Sequence, residues 1–415
     1  MGEEKLKSDP YRWFELLAYC VPFLASSLSG FSIGAMFGAL TTSFGLTASQ
    51  IGLLGTTGFI GTLIFTLPAS LIFSRWDLRK TMTTLFFLMA ASGVAQAFAT
   101  GFMDLLIYRL INALGAAAVT PFYGIIKSRW FPQDDFALAA GIEAGVGVAL
   151  GQIIGVAGTP IIVGMVGWQG TFLVGGGIAV AGALMWLMFG RSYPKAGYFG
   201  SKIDAKATAE KKALSVTETF RRVIKYKEVW LLPLGWWGTT GIWMCIFTYW
   251  PAFVKQAYGL DYTTAGFILS LLPVGSLIAS LVAGVLSRKA GLNKPFITIP
   301  TMLLCLAYFG MLYFSDPLAL SVSSFLAGFG AFIFVPAGIA TISTLPGETP
   351  EMAGMALSIF TMITTGIGGV AVPIIAGMLI DAGWSMYNAM LIFVPGPALL
   401  GILSILCRET GPKAK

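Results

Sequence analysis

The sequence predicts an all-α membrane protein whose twelve transmembrane helices form two six-helix, pseudo-symmetric halves. Composition is the first reason: 56% of the 415 residues are hydrophobic and 11% are charged, whereas soluble domains carry roughly a quarter charged residues. The second reason is that 24 of the 26 Lys and Arg residues fall in segments on one side of the predicted membrane, as the positive-inside rule requires. The net charge of +7 therefore indicates topology and contact with lipid headgroups, and not a nucleic-acid partner.

Twelve apolar stretches are long enough to cross a membrane, since about 20 apolar residues span roughly 30 Å of hydrocarbon. We place spans 1 to 12 at residues 15–43, 50–73, 81–100, 104–127, 136–164, 169–190, 229–253, 262–287, 295–314, 317–343, 352–380 and 385–407. An even number of spans returns both termini to the basic side, which we expect to be cytoplasmic. The first span is too long for a signal-peptide core, so we expect no cleavage. A prokaryotic inner (plasma) membrane is the expected location.

The chain divides at its only long polar stretch. We predict an N-terminal half at residues 1–190, a cytoplasmic linker at 191–228 containing one short amphipathic helix, and a C-terminal half at 229–415. An internal repeat supports the division: Pro160 and Gly164 of span 5 recur as Pro373 and Gly377 of span 11, both 213 residues later and within similar sequence. Such a repeat predicts duplicated halves that rock against each other around a central site.

Residue types exclude several classes of function. The chain has no His, which excludes a His proton relay, a His metal site and His-based nucleophilic catalysis. Its four Cys residues lie in or beside spans, where they behave as small packing residues, so neither a disulfide framework nor a metal site is expected. Because the sequence has no phosphate-binding glycine loop and no nucleophile elbow, we expect neither an enzyme nor a cofactor.

Motifs between spans 2 and 5 resemble those of the major facilitator superfamily, and the resemblance covers nearly the whole chain. The loop after span 2 contains Arg75, Asp77, Arg79 and Lys80, similar to the family's Gly-x-x-x-Asp-Arg-x-Gly-Arg-Arg gating loop, although Asp77 replaces a Gly. Span 4 carries an Arg followed by small residues, similar to the family's fourth helix. The resemblance implies a secondary transporter that is monomeric and works by alternating access. Drug-exporting members usually have a Gly-Pro pair in span 5, where this chain has Gly-Gln, which puts an exporter in doubt.

Two charged residues, Arg109 of span 4 and Glu143 of span 5, fall clearly within the predicted hydrocarbon. Charges there are costly and are candidates for a functional site by default. Arg109 either anchors a carboxylate with its planar guanidinium or hydrogen-bonds backbone and gates without touching solute. Glu143 either carries a proton or is satisfied by span 5 backbone or by Lys127. We expect the two charges at different depths of one cavity, and a direct pair stays open.

Further solute-binding candidates are aromatic or polar residues at mid-depth. The rings of span 7 can stack on a solute or hold a cation. With Arg109, the predicted binding residues are Asn112, Tyr123, Gln152, Trp237, Trp243, Ser270 and Thr361.

The leading hypothesis is a secondary active transporter of a small, monocarboxylate-like organic anion, coupled to protons by Glu143. A monocarboxylate is preferred because Arg109 is the one intramembrane cation in the sequence. Two alternatives stay open: an efflux antiporter for amphipathic or cationic compounds, and a non-transporting receptor or assembly component with the same fold. The expected partners are a small solute, a proton or counter-substrate, and the lipid bilayer.

Overall fold

The computed structural model describes residues 7–73, 76–132, 135–199, 216–343, 350–409 and 413. Within these residues every regular element is helical, and the helices form the predicted twelve transmembrane spans in two halves of six. Arg75 and residues 200–215 of the predicted linker lie outside the described residues.

The first half contains spans 1 to 6. Span 1 is Arg12–Phe31, continued by a 3₁₀ turn at Gly34–Met36 and a helix at Phe37–Phe44; span 2 is Ala48–Phe73; span 3 is Leu78–Ala95, ending in the 3₁₀ turn Gln96–Phe98; span 4 is Phe102–Trp130. Span 5 is built from Phe136–Ile142, the π-helical turns Glu143–Ala149 and Ile154–Gly158, Leu150–Ile153 between them, and the start of Thr159–Phe189. The same helix continues as span 6 after Gly167, whose φ of 78° breaks it. A positive φ is one that Gly adopts easily.

The second half contains spans 7 to 12, preceded by a short helix at Val216–Val223 in the predicted linker. Spans 7, 8 and 9 are Glu228–Tyr258, Tyr262–Ala290 and Lys294–Tyr313. Span 10 is Pro317–Ile333 and Val335–Ser343; span 11 is Pro350–Thr361, the π-helical Met362–Gly368 and Gly369–Asp381; span 12 is Met386–Leu391 and Gly396–Ile405. The predicted span boundaries agree with these helices to within a few residues.

Hydropathy identifies eleven of the twelve spans. Ten helical stretches of the described chain are long and apolar enough to cross a membrane, and one of them, Leu138–Phe189, contains both spans 5 and 6. Span 7 is not among the ten, because its Trp, Tyr, Thr and Gly residues lower its hydropathy. Its residues from Gly241 to Val254 are all buried, so span 7 faces protein and needs less lipid-facing apolar surface.

Each half has its own hydrophobic core. One core joins residues of spans 1, 3, 4, 5 and 6, including Leu16, Phe86 and Trp186. The other joins the spans of the second half and also takes in Ala48 and Val156 from the first. The two halves thus pack mainly within themselves, while the exact boundaries at residues 190/191 and 228/229 stay a prediction.

The halves meet closely on the membrane side opposite both chain termini, which we call the opposite side; the other is the terminal side. There the Asp381 carboxylate of span 11 accepts hydrogen bonds from the backbone N–H groups of Ala48 (2.8 Å) and Ser49 (3.0 Å) at the start of span 2. The Tyr249 hydroxyl of span 7 donates to Ala48 O at 2.9 Å. These contacts close the opposite side of the molecule.

Candidate functional site

A cavity of about 470 Å³ lies at mid-depth between the two halves, within the size range of small-molecule sites. Spans 1, 2, 4 and 5 line it from the first half, and spans 7, 10 and 11 from the second. None of its lining residues is charged. Its aromatic and polar lining residues are Phe23, Ser26, Ser27, Phe31, Phe59, Thr62, Gln152, Trp236, Thr239, Thr240, Trp243, Phe332, Phe360, Thr364 and Thr365.

Span 7 forms an aromatic wall of this cavity. Trp236 and Trp243 are seven residues apart, about two helical turns, so both indoles face the same way. Trp236 packs edge-on against Phe360, with ring centroids 4.8 Å apart, and Trp243 lies 5.4 Å from the ring of Phe332. These contacts hold the indoles in place before any solute binds.

The predicted cavity residue Trp237 does not line the cavity. Its side chain is half-buried. It points about 100° away from the side chain of Trp236, because successive residues of an α-helix are rotated by that angle. The seven-residue spacing between Trp236 and Trp243 is the sequence signal that would have indicated Trp236 as a lining residue. Trp243, by contrast, does line the cavity.

Two polar side chains on the cavity wall have unused hydrogen-bonding capacity. The Thr239 hydroxyl is buried without a hydrogen-bond partner among the described residues. Gln152 is 6% exposed, lines the cavity and takes part in none of the side-chain hydrogen bonds found between described residues. A buried polar group without a partner is costly, so both groups favour a polar ligand in the cavity.

Two other predicted binding residues bond to their own helices instead. The Ser270 hydroxyl donates to Phe267 O at 2.7 Å, and the Thr361 hydroxyl donates to Leu357 O at 2.9 Å. Neither residue lines the cavity. Such local bonds are common for Ser and Thr in membrane helices.

Arg109 lies beside the cavity, in a side pocket of about 40 Å³. The side pocket and the cavity share four lining residues, Ser26, Gly30, Gly58 and Ala116, and are therefore adjacent. Arg109 is 4% exposed. Its Nε donates to Leu54 O (2.9 Å) and to the Thr57 hydroxyl (3.2 Å).

The rest of the side pocket is a polar network. Arg109 Nη1 donates to Ser29 O at 3.1 Å and to Gln96 Oε1 at 3.3 Å. The predicted residue Asn112 accepts from the Ser26 hydroxyl at 3.0 Å and donates to a span 3 carbonyl. The structure therefore brings Arg109 and Asn112 together and fixes the guanidinium between spans 1, 2 and 3.

No carboxylate of the described residues neutralises the Arg109 charge. Among the described residues Arg109 forms no ion pair, and its hydrogen bonds to them use Nε and Nη1. Carbonyl and hydroxyl dipoles solvate the cation in part, but a buried cation without a counter-charge is costly. Nη2 is thus available to an acceptor entering the side pocket.

Glu143 lies in a separate place, on the terminal side of the cavity. It begins the first π-helical turn of span 5, about 13 Å along the span from Gln152 at 1.5 Å per residue. Lys127 of span 4 is close enough to interact with its charge, as are Tyr19 and Tyr123. The Tyr123 hydroxyl is buried without a partner among the described residues. Glu143 and Arg109 form no direct pair.

The loop after span 2 is held within the first half. Asp77 accepts from Lys80 N (3.0 Å) and from the Ser192 hydroxyl (2.8 Å), and Arg79 donates to Leu187 O (2.8 Å). Partial burial acts to raise the pKa of Asp77, but these hydrogen bonds outweigh it and hold the pKa below its usual value. Asp77, in a position where the family has a Gly, thus serves as the N-cap of span 3.

Sequence comparisons place the chain among transporters. The sequence profile of the Major Facilitator Superfamily matches residues 20–365 and 239–415. The chain is 27% identical to a D-galactonate transporter of Escherichia coli O6:H1, over 88% of this chain and 87% of the relative. It is 22% identical to a probable sulfoacetate transporter of Cupriavidus necator (92% and 90% covered) and 23% identical to a hexuronate transporter of Bacillus subtilis (86% and 78% covered).

Solved structures show the same fold. A bacterial homologue of the human lysosomal transporter Spinster, in an inward-facing and unoccupied conformation, superposes with a TM-score of 0.76 at 18% identity, covering 96% of this chain and 97% of the other. The nucleoside transporter NupG superposes with a TM-score of 0.69 at 16% identity, covering 94% and 99%.

Proposed function

The chain belongs to the Major Facilitator Superfamily, and on this premise we propose that it carries a monocarboxylate-like organic anion across the membrane together with a proton. Members of this superfamily are secondary transporters and not enzymes. The observation that carries the proposal is Arg109, a buried cation without an ion pair among the described residues, in a side pocket next to a cavity whose lining is neutral.

The two pockets suit the two parts of such a solute. The side pocket, at about 40 Å³, has room for a carboxylate group or a little water, but not for a whole organic molecule. A carboxylate there would accept from Arg109 Nη2, and a charge-assisted bond of this kind is about twice as strong as a neutral one. The 470 Å³ cavity would hold the remainder of the solute.

The cavity wall favours a solute with both apolar faces and hydroxyl groups. The indoles of Trp236 and Trp243 offer flat surfaces for stacking, while Gln152 and Thr239 offer hydrogen bonds. The relatives named for D-galactonate, sulfoacetate and hexuronate are all named for organic acids. They support an anionic solute and leave its identity open.

Glu143 is our candidate for the coupled proton. It is a carboxyl group within the membrane that has no ion pair among the described residues, and it lies on the terminal side of the cavity, apart from Arg109. Burial favours the neutral form of a carboxyl, so the group would bind and release its proton as its access to water changes. The separation from Arg109 lets solute and proton occupy different places.

The close contact at the opposite side supports alternating access. In this state the solute would reach the cavity from the terminal side, which we propose to be cytoplasmic. Loss of the contacts of Asp381 and Tyr249 would accompany opening of the opposite side as the halves rock. An exporter of cations is less well supported, because a buried Arg109 beside the cavity would repel a cation.

Transport by purified protein in liposomes tests the proposal. We would measure uptake of labelled D-galactonate, D-glucuronate and sulfoacetate, with and without an inward proton gradient, for the wild type, Glu143→Gln and Arg109→Lys. We expect gradient-driven accumulation in the wild type. We expect Glu143→Gln to lose accumulation yet retain solute exchange, because binding and rocking do not need its proton. Lys255→Gln removes a cation on the opposite side and is the control.

The alternatives have distinct outcomes. Solute-dependent thermal stabilisation of the wild type, weakened in Arg109→Lys, would support the anion site even if transport of a variant failed. No carboxylate flux together with binding of amphipathic cations would instead indicate the efflux antiporter. Carboxylate binding without any flux would indicate a receptor.

A further inference from the structure

A second recess, of about 1010 Å³, lies on the lipid-facing side of the second half between spans 8, 9 and 10. It is almost wholly apolar: Asp316 and Ser323 are the polar residues in its lining. Its lining side chains are unusually open, with Leu306 67% and Leu318 74% exposed. We call this recess the lateral groove. It is separate from the central cavity and independent of the solute that the cavity takes.

The lateral groove extends through most of the membrane. Its lining runs from Pro295, at the start of span 9, to Phe314, directly after the end of that span. This distance is about 28 Å at 1.5 Å per residue, against roughly 30 Å for the hydrocarbon layer. Small residues, including Ala307 and Gly330, lie along its length. They leave room for the recess, whereas larger side chains at these positions would fill it. Its length and apolar lining match an extended acyl chain lying along the helices.

The two ends of the lateral groove differ in charge. Lys294 directly precedes Pro295 at the terminal-side end, and Lys413 lies beside the same loop, where its backbone N–H donates to Gly291 O at 2.9 Å. The Glu409 carboxylate also lies there, accepting Lys294 N at 3.1 Å, so these three described residues carry two cations and one carboxylate. The opposite end has Asp316, whose carboxylate accepts a hydrogen bond from Ala319 N.

We propose that the lateral groove binds an anionic phospholipid from the terminal-side leaflet, with an acyl chain along span 9 and the phosphate near Lys294. Basic groups at this depth attract anionic headgroups, whereas Asp316 would repel such a headgroup at the other end. The charge difference between the two ends therefore favours an anionic headgroup and places that headgroup at the terminal-side end.

The bound lipid would touch the back of a helix that lines the central cavity. Phe329, Gly330 and Ile333 of span 10 face the lateral groove, while Phe332 and Val335 of the same span line the cavity. Phe332 in turn contacts the ring of Trp243. An acyl chain in the groove would hold span 10 against span 8 and support the aromatic wall of the cavity.

Lipid retention measured by native mass spectrometry tests this proposal. The protein would be equilibrated in micelles containing phosphatidylglycerol and phosphatidylcholine in equal amounts, then released from detergent in the spectrometer. We expect the wild type to retain phosphatidylglycerol in preference to phosphatidylcholine. Ala307→Phe, which fills the groove, should lose the retained lipid, and Lys294→Gln should lose the preference but keep a lipid. Leu281→Phe enlarges a 64% exposed side chain of span 8 outside the groove and is the control.

Three results would overturn the proposal. Equal retention of the two lipids by the wild type would remove the anionic preference. Retention by Ala307→Phe equal to that of Leu281→Phe would place the lipid elsewhere on the surface. A dimer that Ala307→Phe dissociates would show that a second copy of the chain, and not a lipid, covers the groove. Thermal unfolding of each variant would show that it is folded.

Discussion

Replacing Asp381 by Ala should shift the protein towards the state that is open on the opposite side. The Asp381 carboxylate joins the end of span 11 to the first N–H groups of span 2. The first turn of a helix has unpaired N–H groups and a partial positive charge, so a carboxylate is a favourable partner there. Because these bonds cross between the halves, they stabilise the state in which the opposite side is closed.

The size of the effect follows from the two hydrogen bonds. A hydrogen bond to a charged group contributes about 1.5–3 kcal/mol when well shielded, but Asp381 is exposed and water would replace part of each bond. About 1 kcal/mol for each gives about 2 kcal/mol in total, roughly a thirtyfold change in the ratio of the two states. A closed-to-open ratio of about 100 to 1 would then fall to about 3 to 1.

The shift can be measured as a distance across the opposite side. Spin labels at Ser43→Cys and Asn388→Cys would sit in different halves, and pulsed electron spin resonance would give the distribution of distances between them. The four native Cys residues are buried or half-buried, and labelling of the protein without added Cys would show whether they react. Asp381→Ala should add a longer distance to the distribution.

Asp261→Ala is the matched control. Asp261 is also an aspartate on the opposite side that accepts a backbone N–H, from Thr264 at 3.3 Å, but both partners belong to the second half. An unchanged distribution in Asp381→Ala would refute the reasoning, and so would an equal shift in Asp261→Ala.

Three further substitutions test the same structural account. Tyr249→Phe removes the hydroxyl that joins the halves; we expect about 1 kcal/mol less stability for the closed state, seen as a smaller shift in the same distance measurement. In Gly34→Ala, the added Cβ would lie 1.9 Å from Phe247 O, so spans 1 and 7 must separate and the longer distance should appear; Gly164→Ala, whose Cβ would meet nothing within 4 Å, should leave it unchanged. Arg109→Lys cannot reproduce the planar set of four hydrogen bonds and should destabilise the protein by about 2 kcal/mol, as measured by thermal unfolding; an unchanged midpoint would contradict the network described here.

Much of the fold was predictable, because membrane helices must satisfy their backbone internally and match the thickness of the hydrocarbon. Apolar length located the spans, including span 7, whose hydropathy is low. The π-helical turns in spans 5 and 11 were not predicted. They depend on how neighbouring helices pack against Gly-rich stretches, which no local pattern in the sequence records.

The candidate site was predicted in part. Gln152 and Trp243 line the cavity, and Arg109 and Asn112 share the side pocket beside it. Trp237 and Ser270 lie elsewhere, because depth in the membrane can be counted along the sequence whereas the direction of a side chain depends on the rotation of its helix. The roles of all these residues in binding stay predictions, as does the role of Glu143.

The sequence by itself determined the class of the protein, the number of its spans and the two intramembrane charges. These properties follow from composition and from the cost of placing charge in hydrocarbon. Only the tertiary structure decided that Arg109 lies in the side pocket and Glu143 apart from it, that Trp236 faces the cavity, and that Asp381 joins the halves. The reason is that these facts depend on contacts between residues as far as 333 positions apart in the chain, and such contacts are set by the packing of whole helices.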